Sequence, residues 1–317
     1  MHHLVLLSQL LFGPFHFTYD DYPNIEQTYL DFSIRPYIER PELSMKVVDT
    51  KNIASDIIFK PNIFAEIGLG VAWEDWGIAY GVPASSDPEQ NPVEFGDTQY
   101  FDFQFYWNTS WIGLDAYLQD YDGFFLDNAA DLAETNKKYS RLSITTVGLN
   151  AYYIFSDHFS LTAAFSQSEK QIRNGGSLLL MLSNTYLSVR TGQNLVTADE
   201  VNLHPEFSRF TRGDFFTISL LPGYGYTWKF YELSFSIVFF WGPGLQYQNY
   251  SLGEARERTV RPEWKGNIRS SLWYNWVHHY VGLYVLGDIN RIVIGETRLE
   301  ITSTTLQFFY GYRFYSI

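Results

Sequence analysis

Two neighbouring segments between residues 213 and 250 alternate apolar and polar positions, with a short turn between them. The first segment places Phe216, Ile218 and Leu220 against Thr217 and Ser219. The second segment places Phe235, Ile237 and Phe239 against Ser234 and Ser236. Because successive side chains of a strand point to opposite faces, this pattern predicts a long β-hairpin with one apolar face and one polar face.

Aromatic residues crowd the ends of the apolar faces, as Tyr224, Trp228 and Trp241 do in this hairpin. Phe, Tyr and Trp together make up 19% of the chain. A lipid-facing apolar band between two aromatic girdles, with a polar lumen inside, is typical of transmembrane β-barrels. A soluble lipocalin-like barrel is the alternative. The chain has no apolar run of the length that a transmembrane helix needs.

The same alternation recurs from Leu43 to Phe314, and the lengths of the connections set the number of strands. Bacterial barrels have an even number of strands and short turns on the periplasmic side. We predict an all-β, antiparallel transmembrane β-barrel of 12 strands, or of 14 if residues 156–176 contribute two crossings. That segment has no lipid-compatible face of sufficient length, and Leu161, Ala164, Phe165 and Ser168 follow helical spacing. Twelve strands with a non-spanning insert at about 156–176 is therefore the preferred interpretation.

The remaining regions are assigned by composition. Residues 1–17 form a short apolar stretch without a preceding Lys or Arg and without a small-residue cleavage site, which we interpret as an atypical signal peptide. Residues 18–42 mix acids, aromatics and prolines without a clean period, and are predicted to form a periplasmic arm. Residues 43–317 are predicted to form the barrel.

Three segments resemble recurring blocks of a known family. Residues 163–182 (AAFSQSEKQIRNGGSLLLML), 58–73 (IFKPNIFAEIGLGVAW) and 220–228 (LLPGYGYTW) are similar to those of bacterial outer-membrane proteins grouped as domain of unknown function 4421. The resemblance implies a barrel with a polar insert, located in the bacterial outer membrane. It implies no activity and no catalytic residues.

Composition and motifs argue against several functional classes. The chain has no cysteine, which excludes disulfides and thiolate sites, and its net charge of -13 argues against binding nucleic acid through a basic surface. No metalloprotease, nucleophile-elbow, phosphate-loop or dinucleotide motif is present. We therefore expect no metal, no cofactor and no enzymatic activity. A lipid hydrolase on the outer wall is the weaker alternative, because Ser270 is predicted to face outward but no His is placed near it.

Charged residues on the inward faces are the candidate functional residues. The predicted lumen charge network consists of Glu66, Asp102, Asp115, Glu232, Lys265, Arg269 and Arg313. The predicted lumen insert contributes Ser166, Gln167, Ser168, Glu169, Lys170 and Arg173. Unpaired charges in a narrow lumen are costly, so these groups either form a packed internal network or line a solute path.

Two functions fit these features. The first is a narrow or gated channel or transport barrel for small solutes, with the insert as plug or gate. The second is a structural or interaction barrel with a closed, charged lumen. The expected partners are outer-membrane lipid, the barrel-assembly machinery, and an unknown periplasmic or surface partner. The aromatic ladder that ends at Phe314 is similar to the assembly signal of bacterial outer-membrane proteins.

Overall fold

Twelve antiparallel strands close into a barrel in the computed structural model of the chain. The structure describes residues 24–27, 32–49, 56–129, 132, 138–192, 194–196, 204 and 206–314. The strands are β1 (Ile25–Gln27), β2 (Phe32–Asp49), β3 (Ile57–Lys60), β4 (Ala65–Trp73), β5 (Trp76–Ser85), β6 (Gln99–Asn108), β7 (Ile112–Leu126), β8 (Lys138–Ile154), β9 (Glu169–Gln171), β10 (Gly175–Thr191), β11 (Phe210–Phe230), β12 (Leu233–Leu252), β13 (Ala255–Asn275), β14 (His279–Ile294) and β15 (Thr297–Phe314).

The closed ring runs β2-β4-β5-β6-β7-β8-β10-β11-β12-β13-β14-β15, and β15 pairs with β2. The predicted fold class and the preferred count of 12 strands are confirmed. We call the end that carries the turns at 74–75, 109–111, 231–232 and 276–278 the turn end, and the opposite end the loop end. β2 begins and β15 ends at the turn end, where Phe32 pairs with Phe314.

Within the described residues, helical structure is confined to single turns. These are α1 (Pro92–Phe95), a π-helical turn (Thr162–Ser166) and a 3-10 turn (Phe207–Arg209). Among the described residues, no helix has the length and apolar character needed to cross a membrane.

The ring is wider at the turn end than at the loop end. β2 pairs with β4 up to Glu39, and with β3 from Met45 onward. β3 in turn pairs with the last residues of β7. The β5–β6 hairpin therefore fills only the turn-end part of the wall. Toward the loop end, β3 joins β2 to β7 directly. The ring thus has twelve strands at the turn end and ten at the loop end.

The first barrel strand begins at Phe32, earlier than the Leu43 predicted from the sequence. Pro36 and Pro41 led to the assignment of residues 18–42 as an arm, but both lie within β2. Pro36 has no partner in β15, and Pro41 lies where β2 changes partner from β4 to β3. A proline is tolerated where the ladder is interrupted on one side. The predicted signal peptide, residues 1–17, lies outside the described residues.

A belt of exposed apolar residues surrounds the outer surface, as the alternation predicts. Its aliphatic and phenyl side chains include Ile67, Leu69, Leu182, Ile218, Leu220, Phe239, Ile268, Leu283, Leu306 and Phe308. Trp73, Trp76, Trp228, Tyr274, Trp276 and Tyr310 form the aromatic girdle near the turn end. Strands β11 and β13 have 21 residues each, about twice the 9–11 that a membrane-spanning strand requires, so the barrel extends beyond the belt.

The interior at the loop end is apolar, unlike the polar lumen predicted from the sequence. Inward-facing residues of most strands and of the β10–β11 connection pack into one cluster, which we call the outer apolar cluster. Its fully buried members include Met45, Val47, Ile57, Phe59, Leu126, Leu142, Ile144, Val189, Leu195, Phe207, Ile292 and Leu299. The sequence indicates a polar lumen because the β11–β12 hairpin places small and hydroxyl residues inside, among them Thr217, Ser219, Ser234 and Ser236. The apolar residues occur further along the strands, where both faces can be apolar because the interior is packed rather than hydrated.

Candidate functional site

Polar side chains occupy the middle of the barrel, between the outer apolar cluster and the insert at the turn end. The strongest pair joins Arg269 of β13 to Asp115 of β7, across the lumen, at 2.5 Å. The Tyr152 hydroxyl donates to the same Asp115 oxygen at 2.5 Å, and the Arg269 guanidinium lies 5.1 Å from the centre of the Tyr152 ring. The other Arg269 nitrogens donate to Asn267 Oδ1 and to the Tyr152 hydroxyl. Because Arg269 lies on β13 and Asp115 on β7, the ion pair links opposite walls of the barrel.

A second cation, Lys265, is held mainly by hydroxyl groups. Its ammonium donates to Thr185 Oγ1 at 2.7 Å and to Ser183 Oγ at 3.3 Å, and lies 3.6 Å from Asp288. Lys265 is 3% exposed. The three partners come from β10 and β14, so this contact also links separate parts of the wall.

Three carboxylates gather on the other side of the lumen. Glu39, Glu66 and Asp102 lie on β2, β4 and β6, and one oxygen of each lies within 4.8 Å of one oxygen of each of the others. Each accepts a hydrogen bond from a neutral donor: Gln307 to Glu39 at 2.9 Å, Tyr37 to Glu66 at 3.1 Å, and Gln104 to Asp102 at 2.8 Å. We call these three residues the carboxylate cluster.

The insert enters the turn end of the barrel and packs against the wall. Its short β9 strand pairs with β1, so the segment before the barrel holds it from below. Phe159, Leu161 and Ala164 of the insert are buried against Val238 and Phe240 of β12. Within the insert, the Ser160 hydroxyl donates to Glu169 at 2.5 Å. The segment therefore has a small apolar core of its own that continues into the wall.

Backbone carbonyls of the insert are its main polar anchors. Ala164 O accepts from Ser271 Oγ and from Trp273 Nε1, each at 2.6 Å. Gln167 O accepts from two nitrogens of Arg313, at 3.1 and 3.0 Å, while the Gln167 side chain accepts from Asn275 at 2.8 Å. Gln167 has a positive φ of 63°, which turns its carbonyl toward Arg313 at the end of the π-helical turn.

Arg313 is the most connected of these groups. Besides Gln167 O, it donates to Asn275 Oδ1 at 2.7 Å and to Trp276 O at 3.3 Å. Its guanidinium lies 4.3 Å from the centre of the Tyr280 ring. Arg313 is 1% exposed, so its hydrogen bonds are made away from solvent.

A small cavity separates the insert from the polar layer. Its volume is about 120 Å³, and Arg35, Tyr106, Asp115, Ser166 and Arg269 are among the residues that line it. Such a volume holds a few water molecules.

The pKa of one carboxyl outside the strands depends in part on the insert. Asp75 lies in the turn between β4 and β5, and burial together with the nearby Glu169 and Glu74 raises the pKa of Asp75 to about 6. Since Glu169 belongs to the insert, part of this rise in the pKa of Asp75 comes from the docked insert.

A protein-family model matches the whole length of the barrel. Residues 21–314 match the model of the family described as Domain of unknown function (DUF4421). The chain belongs to this family. None of the curated proteins matches the sequence.

Several solved outer-membrane proteins have a similar fold. They include the outer membrane protease OmpT from Escherichia coli, at 6% identity and a TM-score of 0.40, covering 93% of this chain and 98% of that chain. The toluene transporter TodX from Pseudomonas putida is 11% identical with a TM-score of 0.30, covering 90% and 91%. The attachment invasion locus protein Ail of Yersinia pestis is 8% identical with a TM-score of 0.26, covering 88% and 99%. At these identities the likeness concerns the fold alone.

The expectation that the chain has no enzymatic activity requires correction. One of the similar barrels is a protease, so membership in this fold class does not exclude catalysis. The low identity assigns no reaction to this chain either.

The structure places most of the sequence-predicted site residues inside the barrel, but not as one network. Glu66 and Asp102 belong to the carboxylate cluster, Asp115 and Arg269 form the cross-lumen pair, and Lys265 and Arg313 make separate contacts. Glu232 lies exposed in the β11–β12 turn, because β12 begins one residue after it.

The predicted insert residues are divided between the barrel interior and its surface. Ser166, Gln167 and Glu169 are buried, Ser168 and Lys170 are half-buried, and Arg173 is exposed. Arg173 follows β9, where the chain leaves the mouth of the barrel to enter β10. Among the predicted wall charges, the described insert contacts Arg313 by hydrogen bonds, through a backbone carbonyl that no side-chain pattern reveals.

Two residues of the polar layer were missed from the sequence. Glu39 was assigned to the arm, although Ser33, Tyr37 and Glu39 alternate with Ile34 and Ile38 and carried a usable signal. Asp288 was missed because it lies between Gly287 and Ile289, where the alternation of β14 is interrupted by glycine.

Proposed function

We propose that this protein is an outer-membrane β-barrel, closed at both ends, that acts as a structural or interaction barrel rather than as an open pore. The turn end then faces the periplasm and the loop end faces the cell exterior, as short turns and even strand number require. The exposed apolar belt with its aromatic girdle supports the membrane location. The packed outer apolar cluster is the observation that carries the proposal of closure.

Closure at the loop end involves both the wall and a connection. Leu195, Val196 and Phe207, from the segment between β10 and β11, are buried inside the ring with wall residues such as Phe59 and Ile144. Dry, close-packed interiors exclude water, so solutes cannot pass this layer without its unfolding.

Among the described residues, the β12–β13 flap, residues 247–264, offers a surface to a partner. β13 pairs with β14 only from Gly266, so the flap has β12 on one side and no described strand on the other. Residues 255–258 are exposed on both faces. The free edge carries Arg256, Arg258 and Pro262, and charge and proline on an edge prevent unselective strand pairing.

Conductance in planar bilayers tests the closure. The purified barrel should show no stable conductance steps, and neither should a variant in which residues 160–174 are replaced by a short Gly/Ser linker, because the outer apolar cluster remains. The linker variant should still migrate faster unheated than boiled on a detergent gel. Stable conductance of the unmodified protein would contradict the proposal.

A gated channel is the second candidate, favoured by the cavity between the insert and the cross-lumen pair. Its test is a double replacement of residues 160–174 and of the β10–β11 connection, residues 193–206. A gated channel predicts that each single replacement conducts intermittently and that the double replacement conducts continuously. A structural barrel predicts conductance in the double replacement alone.

A further inference from the structure

The carboxylate cluster concentrates negative charge where the described residues place no compensating cation. Glu39, Glu66 and Asp102 are 1%, 0% and 1% exposed. The ion pairs among the described residues involve other acids: Glu42, Asp56, Asp127, Asp157, Asp214, Asp288, Asp115 and Glu300. An ionised carboxylate taken out of water without a counter-charge costs several kcal/mol, and three together cost more through mutual repulsion. The cluster must therefore hold either protons or a cation.

Each carboxylate of the cluster also has one oxygen available to coordinate a cation. One oxygen of each carboxylate, namely Glu39 Oε1, Glu66 Oε2 and Asp102 Oδ1, is buried and has no hydrogen-bond partner. The other oxygen of each accepts from the neutral donor described above, which orients the group without neutralising it. Orienting hydrogen bonds to ligating carboxylates are common in protein metal sites.

Two features outside the carboxylates point to a bound ligand. Tyr100 is 7% exposed, and its hydroxyl makes no hydrogen bond of good geometry. The Tyr100 side chain interacts electrostatically with all three carboxylates. Gly81 of β5 lies between β4 and β6, where a Cβ would come 1.5 Å from Glu66 Oε1. The missing side chain lets the three carboxylates converge across an intervening strand.

We propose that Glu39, Glu66 and Asp102 bind one divalent cation, with Ca²⁺ as the fitting ion. An oxygen-only set of carboxylates selects hard cations over Zn²⁺ or Cu²⁺, which prefer nitrogen and sulfur. Ca²⁺ takes six to eight oxygen ligands at about 2.3–2.6 Å in a flexible geometry, whereas Mg²⁺ requires a near-ideal octahedron at about 2.0–2.1 Å. Three oxygens within 4.8 Å of one another can reach one such ion, and their placement on three separate strands suits the more flexible geometry of Ca²⁺.

The position of the site explains what the ion does. Glu39 is the last residue of β2 that pairs with β4, and Asp102 lies on the β5–β6 hairpin, which fills only the turn-end part of the wall. The cation therefore ties the hairpin to the strand where the wall narrows from twelve strands to ten. No motif in the sequence indicates this site, because its ligands lie on three strands that only the barrel brings together.

Metal content after refolding tests the proposal. The protein is refolded from inclusion bodies into detergent, free of lipopolysaccharide, with 1 mM CaCl₂ or with EDTA, and bound Ca²⁺ is measured by mass spectrometry after desalting. We expect one Ca²⁺ per chain in the unmodified protein and in Asp122→Asn, which removes an exposed acid. Glu66→Gln and Asp102→Asn should each lower the content at least tenfold. Mg²⁺ refolding in parallel should give a lower metal content.

The thermal unfolding midpoint of the same samples distinguishes a bound cation from protons shared by the carboxylates. Ca²⁺ should raise the thermal unfolding midpoint of the unmodified protein and of Asp122→Asn, and should leave that of Glu66→Gln unchanged. Absence of Ca²⁺ from the unmodified protein, together with a higher midpoint of Glu66→Gln in EDTA at pH 7.5, would overturn the proposal and assign protons to the cluster. Equal Ca²⁺ content in Glu66→Gln and Asp122→Asn would also overturn it. Asp102→Asn serves where Glu66→Gln does not fold.

Discussion

Arg313 should control whether the insert stays docked in the barrel. Arg313→Met keeps the apolar stem but removes the donors to two buried acceptors, Gln167 O and Asn275 Oδ1, and to the partly exposed Trp276 O. Each buried acceptor left without a partner costs about 1–3 kcal/mol. Because Ala164 O keeps its two donors on β13, we take the lower value for each of the two acceptors, about 2 kcal/mol in all. That energy corresponds to about a 30-fold larger undocked population.

The absence of cysteine from the chain provides a clean assay. Ser166→Cys places a single thiol on the insert, at a position that is 3% exposed. Its labelling by a polyethylene-glycol maleimide reports the undocked population when docking is fast relative to labelling. Labelling should be about 30-fold faster in Arg313→Met, and intermediate in Arg313→Lys, which keeps the charge but loses the planar fork.

Arg298→Met is the matched control, at the opposite end of β15. Arg298 pairs with Glu300 at 2.8 Å and its side chain is 35% exposed, so its loss should cost no more than about 1 kcal/mol and leave the insert docked. A heat-modifiable band in every variant shows that the barrel is intact. Equal labelling rates in Arg313→Met and Arg298→Met would refute the view that Arg313 anchors the insert.

Three further predictions concern other parts of the barrel. The raised pKa of Asp75 means that the folded protein binds this proton more tightly than the unfolded chain, so stability falls as pH rises from about 4 to about 6. Asp75→Asn should therefore raise the thermal midpoint more at pH 7.5 than at pH 4.5, and an equal rise would contradict the raised pKa of Asp75. Phe239→Arg on the lipid face should cost about 2–4 kcal/mol in urea unfolding from vesicles, whereas Tyr231→Arg, in a turn and 97% exposed, should cost little; similar costs would mean that the belt is misplaced. Phe59→Ala in the outer apolar cluster should cost about 3–5 kcal/mol in the same assay, and a loss below 1 kcal/mol would show that this layer is not packed.

The barrel and its strand number follow from the sequence because both depend on local patterns. Period-two alternation identifies strands without knowledge of their partners, and turn lengths fix the parity of the crossings. The insert was recognised for the same reason, since its polar residues leave no lipid face. The start of β2 was misplaced because Pro36 normally argues against a strand interior, and only the pairing with β15 shows that its position is an interruption in the ladder.

The contents of the lumen depend on information that one strand does not hold. The register between β7 and β13 brings Asp115 to Arg269, and an offset of one residue would turn both away from the lumen. Whether an inward face meets water or another wall also depends on the opposite strands, which is why the outer apolar cluster was not foreseen. The Arg313 contact was not predictable for a different reason, because its acceptor is a backbone carbonyl oriented by the positive φ of Gln167.

The partial hairpin of β5 and β6 suggests how barrels of this kind gain or lose strands. β3 already lies against β7, and β4 continues the same crossing toward the turn end. If residues 75–109 were absent, β4 could extend the ladder that β3 begins, and a ten-stranded cylinder of uniform girth would result without any change of direction elsewhere. The hairpin is thus inserted between two strands that already pair at the loop end. A single insertion or deletion can therefore change the strand number by two, while the remaining strand pairings and both chain ends stay in place.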